Sequence, residues 1–133
     1  MSVERGFFLV KPDTMLNGGC QEAEEKIKNE GLNVVDREMK RLTAEQVRRL
    51  YPERVNSRWG ECLLDYMTAG DCIGIVVEGE DCSKRLKKIK GKTWGEGLRG
   101  KYSDNFIHNS FHSSDNQEEA KKEINVFFKT ENA

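Results

Sequence analysis

Several of the usual signposts of chemistry are scarce in this chain. Histidine occurs twice, proline twice and cysteine four times, and the formal net charge is only −1. A charge balance so close to zero argues against nucleic acid or a membrane surface as an electrostatic partner. No apolar run approaches the length of a spanning helix, and the stretch from Met1 to Arg5 has no secretory pattern. Cys20, Cys62, Cys72 and Cys82 form no CxxC pair and have no histidine at zinc-finger spacing. That excludes a disulfide framework or a zinc site and leaves free thiols in a reducing, cytoplasmic setting. Repeats, low-complexity segments and linkers are missing too. The 133 residues therefore read as a single domain, 1–133, long enough to bury a real core.

What is present is a polar surface, with 34% charged residues against 36% hydrophobic ones. Gly6-Phe7-Phe8-Leu9-Val10 reads as a buried strand, and Lys11-Pro12-Asp13 ends it because Pro12 has no N–H for a ladder. Lys11 is placed to reach a ligand; on the residues alone it also reads as a snorkelling surface lysine. A helix is expected from about Asn17 to Glu30, with Cys20, Ala23 and Ile27 on one face and Gly31 as its stop. Leu32 to Lys40 reads as a half-exposed strand, and Thr43-Ala44-Glu45-Gln46 has capping-box form before a short helix that Pro52 ends.

Trp59, Cys62, Leu63, Tyr66 and Met67 repeat at helical spacing, which predicts an amphipathic helix stopped by Gly70. Cys72 to Val77 is a second buried strand. Cys82, Leu86 and Ile89 mark a helix crowded by Lys84, Arg85, Lys87, Lys88 and Lys90, either a solvated face or one wall of a phosphate site. Gly91 to Gly100 is glycine-rich but lacks the strand-then-helix pattern of a P-loop. Ala120, Ile124, Phe127 and Phe128 predict a last amphipathic helix. Strands alternating with helices at these intervals suggest a small α/β sandwich.

The chain centres on Asn109-Ser110-Phe111-His112-Ser113-Ser114-Asp115. His112 stands where an apolar run meets a helix start, with Asp115 as the expected cap and Glu118 three residues on. A nucleophilic imidazole there suits an anionic substrate, because unpaired N–H groups and the helix dipole favour negative charge. By itself such a histidine is more often structural. His108 and His112 are also spaced as a metal pair, but the span reads as strand or loop and no third ligand is evident.

Five segments together resemble the nucleoside diphosphate kinase family, over about Glu4 to Phe128. They are Phe8-Leu9-Val10-Lys11-Pro12-Asp13, the Tyr51 helix, Tyr66-Met67-Thr68-Ala69-Gly70-Asp71, Leu98-Arg99-Gly100-Lys101-Tyr102 and the His112 stretch, in order and at matching spacing. The resemblance implies a ferredoxin-like βαββαβ antiparallel sheet with additional helices. It also implies transfer of a γ-phosphoryl group from a nucleoside triphosphate to a nucleoside diphosphate, ping-pong, through a phosphohistidine. His112 takes the nucleophile's position, Glu123 that of the carboxylate orienting the ring, and Ser114 that of a supporting hydroxyl. Lys11, Tyr51, Thr93 and Arg99 match the phosphate-binding positions, with Lys87 where the family carries arginine. Asn109 and Lys11 match the sugar contacts, Trp59 the aromatic base clamp, and Phe106 falls among the nucleotide-binding positions. Mg²⁺ is expected to arrive on the nucleotide phosphates, without a dedicated protein metal site.

The chain also departs from the family pattern. A lysine at 87 is a point charge in place of a bidentate fork. The segment between Thr93 and Arg99 is shorter than in most members, Ser113 stands where glycine is common, and the chain ends soon after Phe128, where members carry a tail. A homo-oligomer, at least a dimer, is expected, with nucleic acid and membrane as partners excluded. The alternative is a catalytically weak domain of the same fold acting as a dimerisation or interaction module.

Overall fold

Strand β1, Glu4–Val10, lies at the middle of the molecule, and Phe7, Phe8, Leu9 and Val10 are all fully buried. Both faces of this strand are covered, which is why its sequence is a continuous apolar run rather than an alternation. The computed structural model describes residues 3–11, 18–91, 98 and 111–128. After β1 come α1 (Gly19–Asn29), β2 (Asn33–Lys40), α2 (Ala44–Leu50), α3 (Pro52–Val55) and α4 (Gly60–Met67). Then follow β3 (Cys72–Gly79), α5 (Cys82–Lys90), β4 (Phe111–Ser113) and α6 (Gln117–Phe128). The strands form one antiparallel sheet in the order β2-β3-β1-β4. This is the ferredoxin-like arrangement expected from the sequence.

The alternation of side chains along β1 divides the core in two. Phe8 and Val10 pack with Ala23 and Ile27 of α1 and Leu86 and Ile89 of α5. Phe7 and Leu9 pack on the opposite face with Val47 and Leu50 of α2, Leu63 and Met67 of α4, and Phe127 of α6. Among the described residues no helix is long and apolar enough to cross a membrane.

Local sequence explains most of the element ends. α1 stops in a Schellman turn: Leu32 N–H bonds Ile27 O at 3.2 Å, Gly31 N–H bonds Lys28 O at 2.9 Å, and Gly31 takes φ of 82°. Thr43 and Gln46 close the expected capping box, Gln46 N–H to Thr43 Oγ1 at 3.1 Å and Thr43 N–H to Gln46 Oε1 at 2.9 Å.

Three expectations are corrected. The cap of α6 is Asn116, whose Oδ1 accepts from Glu119 N–H at 2.8 Å, rather than Asp115, which pairs with a lysine instead. Trp59 and Cys62 do not join the packed face of α4. Trp59 sits at the N-cap and is 40% exposed, and Cys62 is exposed, so Leu63, Tyr66 and Met67 carry the packing. β2 is more exposed than a half-buried strand, because it lies at a sheet edge and a bulge between Val34 and Asp36 shifts its register. All four cysteines are free thiols, as expected.

The α3–α4 corner depends on one close approach. A Cβ on Gly60 would lie 2.0 Å from the carbonyl oxygen of Val55, a backbone atom that cannot turn aside. Gly60→Ala is therefore expected to destabilise the fold by about 1–3 kcal/mol through overpacking. A thermal melt should show Tm falling by several degrees; an unchanged Tm would mean that the corner is not this tight.

Candidate active site

β4 pairs with β1 so that His112 stands opposite Leu9 and Phe111 opposite Val10. The imidazole therefore points to the face shared with α2 and α6, and Lys11, directly after β1, ends beside it. Nε2 of His112 lies 3.0 Å from Oε1 of Glu123 on α6, with both side chains largely buried. The approach is close without being aligned as a hydrogen bond, and a carboxylate on this side of the ring, which can only accept, favours a proton on Nε2. Tyr51, at the junction of α2 and α3, meets the imidazole edge-on with ring centroids 5.2 Å apart, and Phe7 packs at 6.3 Å.

Cations gather around this ring. Lys11 is fully buried, which corrects the snorkelling reading, and its Nζ lies 5.3 Å from the centre of the Tyr51 ring. Arg54 approaches the same ring at 6.0 Å. Burial pushes the His112 pKa below its ordinary 6.5; Glu123 opposes that shift, and the charges of Lys11 and Lys90 add to it. Lys90 belongs to the basic helix read from the sequence as either a solvated face or one wall of a phosphate site, whereas Arg54 was not picked out; its one signal was its place three residues beyond Tyr51.

The remaining sequence candidates divide by location. Ser114 is buried with its hydroxyl on the β1 backbone, accepting from Phe7 N–H at 3.0 Å, rather than on the imidazole. Lys87 reaches Asp115, Nζ to Oδ1 at 3.2 Å. Trp59 presents its indole at the α3–α4 corner with the Arg58 guanidinium 4.8 Å from the ring centre. Ser113 is buried on the opposite side of the strand from His112, with no hydrogen-bond partner for Oγ among the described residues. Thr93, Arg99, Phe106, His108 and Asn109 lie outside the described residues.

A neutral, largely buried imidazole oriented by a carboxylate and ringed by cations is built to attack an anionic electrophile. The comparisons with known proteins agree. The sequence model of the nucleoside diphosphate kinase family matches residues 4–133. The chain belongs to the nucleoside diphosphate kinase family.

A nucleoside diphosphate kinase of Sulfurisphaera tokodaii is 30% identical over 136 aligned residues, 98% of this chain and 92% of that protein. The crystal structure of the Aquifex aeolicus nucleoside diphosphate kinase superposes with a TM-score of 0.88 at 29% identity, covering 96% of each chain. That of Encephalitozoon cuniculi also gives 0.88, at 23% identity over 94% of this chain and 88% of that one, which shows the shared fold. Nucleotide-binding phosphotransferase chemistry comes with family membership, as does the general route through a phosphohistidine and the use of a divalent cation.

Titration provides a direct check on the site. The unfolded chain takes up a proton on His112 near pH 6.5, and the folded protein only at lower pH. The stability that comes from keeping this ring neutral is fully present above 6.5 and is lost as pH falls through the folded pKa. Nuclear magnetic resonance of the His112 ring should give a midpoint below 6.5, and Glu123→Gln should lower it further by removing the favourable carboxylate. A midpoint above 6.5 would contradict the burial seen here.

Proposed function

We propose that His112 is the nucleophile of an active nucleoside diphosphate kinase. The observation that carries this reading is the 3.0 Å contact between His112 Nε2 and Glu123 Oε1, with the charge of Lys11 acting on the same ring. In the first half-reaction the Nδ1 lone pair forms a bond to the γ-phosphorus of a nucleoside triphosphate. The bond to the bridging oxygen breaks, and the nucleoside diphosphate leaves. In the second half-reaction a different nucleoside diphosphate attacks the phosphohistidine and restores the free ring. Splitting the transfer in this way lets one site serve both donor and acceptor.

Glu123 orients the ring and stabilises the positive charge that develops on it. Lys11, Tyr51 and Lys87, with Thr93 and Arg99, surround the phosphates, where positioning and charge neutralisation do most of the work. Asn109 and Lys11 hold the sugar; Trp59 and Phe106 serve the base, and stacking on any π-face fits broad base tolerance. Mg²⁺ is the divalent cation of this reading. Among the described residues no three His, Cys, Asp or Glu side chains gather to hold an ion, whereas the lysines around His112 suit phosphate oxygens, so the ion fits on the nucleotide. When bound there it neutralises phosphate charge.

The chain acts as a single cytoplasmic domain in this reading, on nucleotides rather than nucleic acid or membrane, and as at least a dimer. Support for self-association comes from β2, an edge strand whose Val35 and Met39 are 43% and 58% exposed.

Intact mass after brief incubation with Mg-ATP tests the nucleophile. The unmodified chain should gain one acid-labile phosphoryl group that a second nucleoside diphosphate discharges, and His112→Ala should gain none while still binding nucleotide. An adduct on the alanine variant would remove His112 from the role. Absence of any adduct with nucleotide bound would favour the interaction module. Arg99→Ala should lower kcat by about a hundredfold through loss of a charge-stabilising donor. A nearly unchanged kcat in steady-state assays would place Arg99 away from the phosphates.

A further inference from the structure

Helix α5 is clasped to the residues that follow His112 at two consecutive positions. Ser83 and Lys87 are one turn apart on α5 and so project from the same face. Ser83 Oγ lies 3.3 Å from Ser114 Oγ, and Lys87 Nζ lies 3.2 Å from Asp115 Oδ1. Ser114 is anchored in turn to β1, its N–H donating to Phe7 O at 2.9 Å and its Oγ accepting from Phe7 N–H at 3.0 Å. The contacts run from α5 through Ser114 to β1 without passing through the imidazole.

The two points of the clasp differ in strength. Ser83 and Ser114 are 4% and 0% exposed, so their bond is shielded from water and holds a defined geometry. The side chains of Lys87 and Asp115 are 39% and 74% exposed, and an ion pair in that setting contributes little to holding a helix in place. Other polar contacts of α5 point toward β3 and its flanks: Cys82 Sγ lies 3.4 Å from Val77 O, and Arg85 bonds Glu80 O at 3.1 Å and pairs with Glu30 at 3.6 Å. The N-cap, Asp81, makes no side-chain cap bond and has φ of 52°. The serine pair is thus the buried side-chain contact that links α5 to the residues following His112.

We propose that Ser83 is a positioning residue for phosphoryl transfer: through Ser114 it sets α5 against β1 and β4 and thereby fixes where the Lys87 ammonium can reach. This rests on the reading of Lys87 as a phosphate contact. A lysine brings one point charge on a flexible stem, without the planar fork of arginine, so its effect depends closely on where its helix holds it. A shift of a fraction of an ångström moves that charge relative to the transferring group while leaving ordinary nucleotide contacts in place.

The test is a double-mutant cycle on the full chain, with Ser83→Ala, Lys87→Met and the double variant. For each, the single-turnover rate of His112 phosphorylation by Mg-ATP, the dissociation constant for Mg-ADP and the thermal melt are measured. Alanine removes one oxygen and is the best helix former, and Ser114 keeps its bond to Phe7, so the variant retains the fold. Ser83→Ala should slow phosphoryl transfer about tenfold, as expected for a misplaced group. Its affinity for Mg-ADP should stay within about twofold, since uniform binding is untouched. The double variant should be no slower than Lys87→Met alone. Effects that multiply in the double variant, or a Ser83→Ala rate equal to that of the unmodified chain, overturn the proposal at the clasp. A Lys87→Met rate equal to that of the unmodified chain overturns it too, by removing Lys87 from the phosphates.

Discussion

Burial of β1 on both faces is the constraint on which this molecule depends. Phe7 and Leu9 anchor one layer of the core, and Phe8 and Val10 anchor the other. Such a strand cannot shift by one residue, because every side chain would change layers. Its register with β4 then sets which way His112 faces, and the end of its apolar run sets where Lys11 emerges. His112 and the buried Lys11 are thus placed by the same hydrophobic packing that holds the sheet together.

The site works against the cost of desolvation. A buried lysine and a largely buried histidine are both poor residents of a low-dielectric interior unless something offsets the charge. For His112, burial favours the neutral ring, and Glu123 beside Nε2 opposes that shift. Lys11 keeps its head against the face of Tyr51. The same arrangement suits the proposed phosphoryl transfer, in which a neutral imidazole attacks and nearby cations meet the phosphate charge. Stability and catalysis make the same demand here: the ring must resist protonation near neutral pH.

The helical corner carrying Trp59 follows a different rule. It is built by a close backbone approach at Gly60, and it leaves an aromatic ring partly in water with a guanidinium against it. Trp59 stays 40% exposed there, in contrast to Tyr66 and Met67 about two turns later, which the core consumes. β2 likewise leaves apolar side chains outside the core, at an open sheet edge.

Much of this was legible in the residues themselves. The run from Phe7 to Val10 announced a buried strand, Thr43 and Gln46 a capped helix start, and Gly31 a helix stop. In each case the decisive interaction spans only a few residues, so composition and spacing carry it. The five ordered family segments assigned His112 and Lys11 to one site, and the same resemblance added Glu123 from the last helix, before any contact was known. Other features came from partners distant along the chain. Asn116 rather than Asp115 caps α6 because the helix begins at Gln117, one residue later than the spacing suggested, and Asp115 pairs with Lys87 on another helix instead. Trp59 matched the periodicity of a packed stripe, yet the α3–α4 turn sets it outside the core. Ser114 bonds Phe7 across the sheet, and Ser83 reaches Ser114 from α5; spacing along the chain contains neither contact. The sequence by itself determined the elements, the fold class and the family, because local hydrogen bonding and burial periodicity are properties of short windows. Only the tertiary structure decided which polar groups meet, because that depends on how separate elements pack in three dimensions.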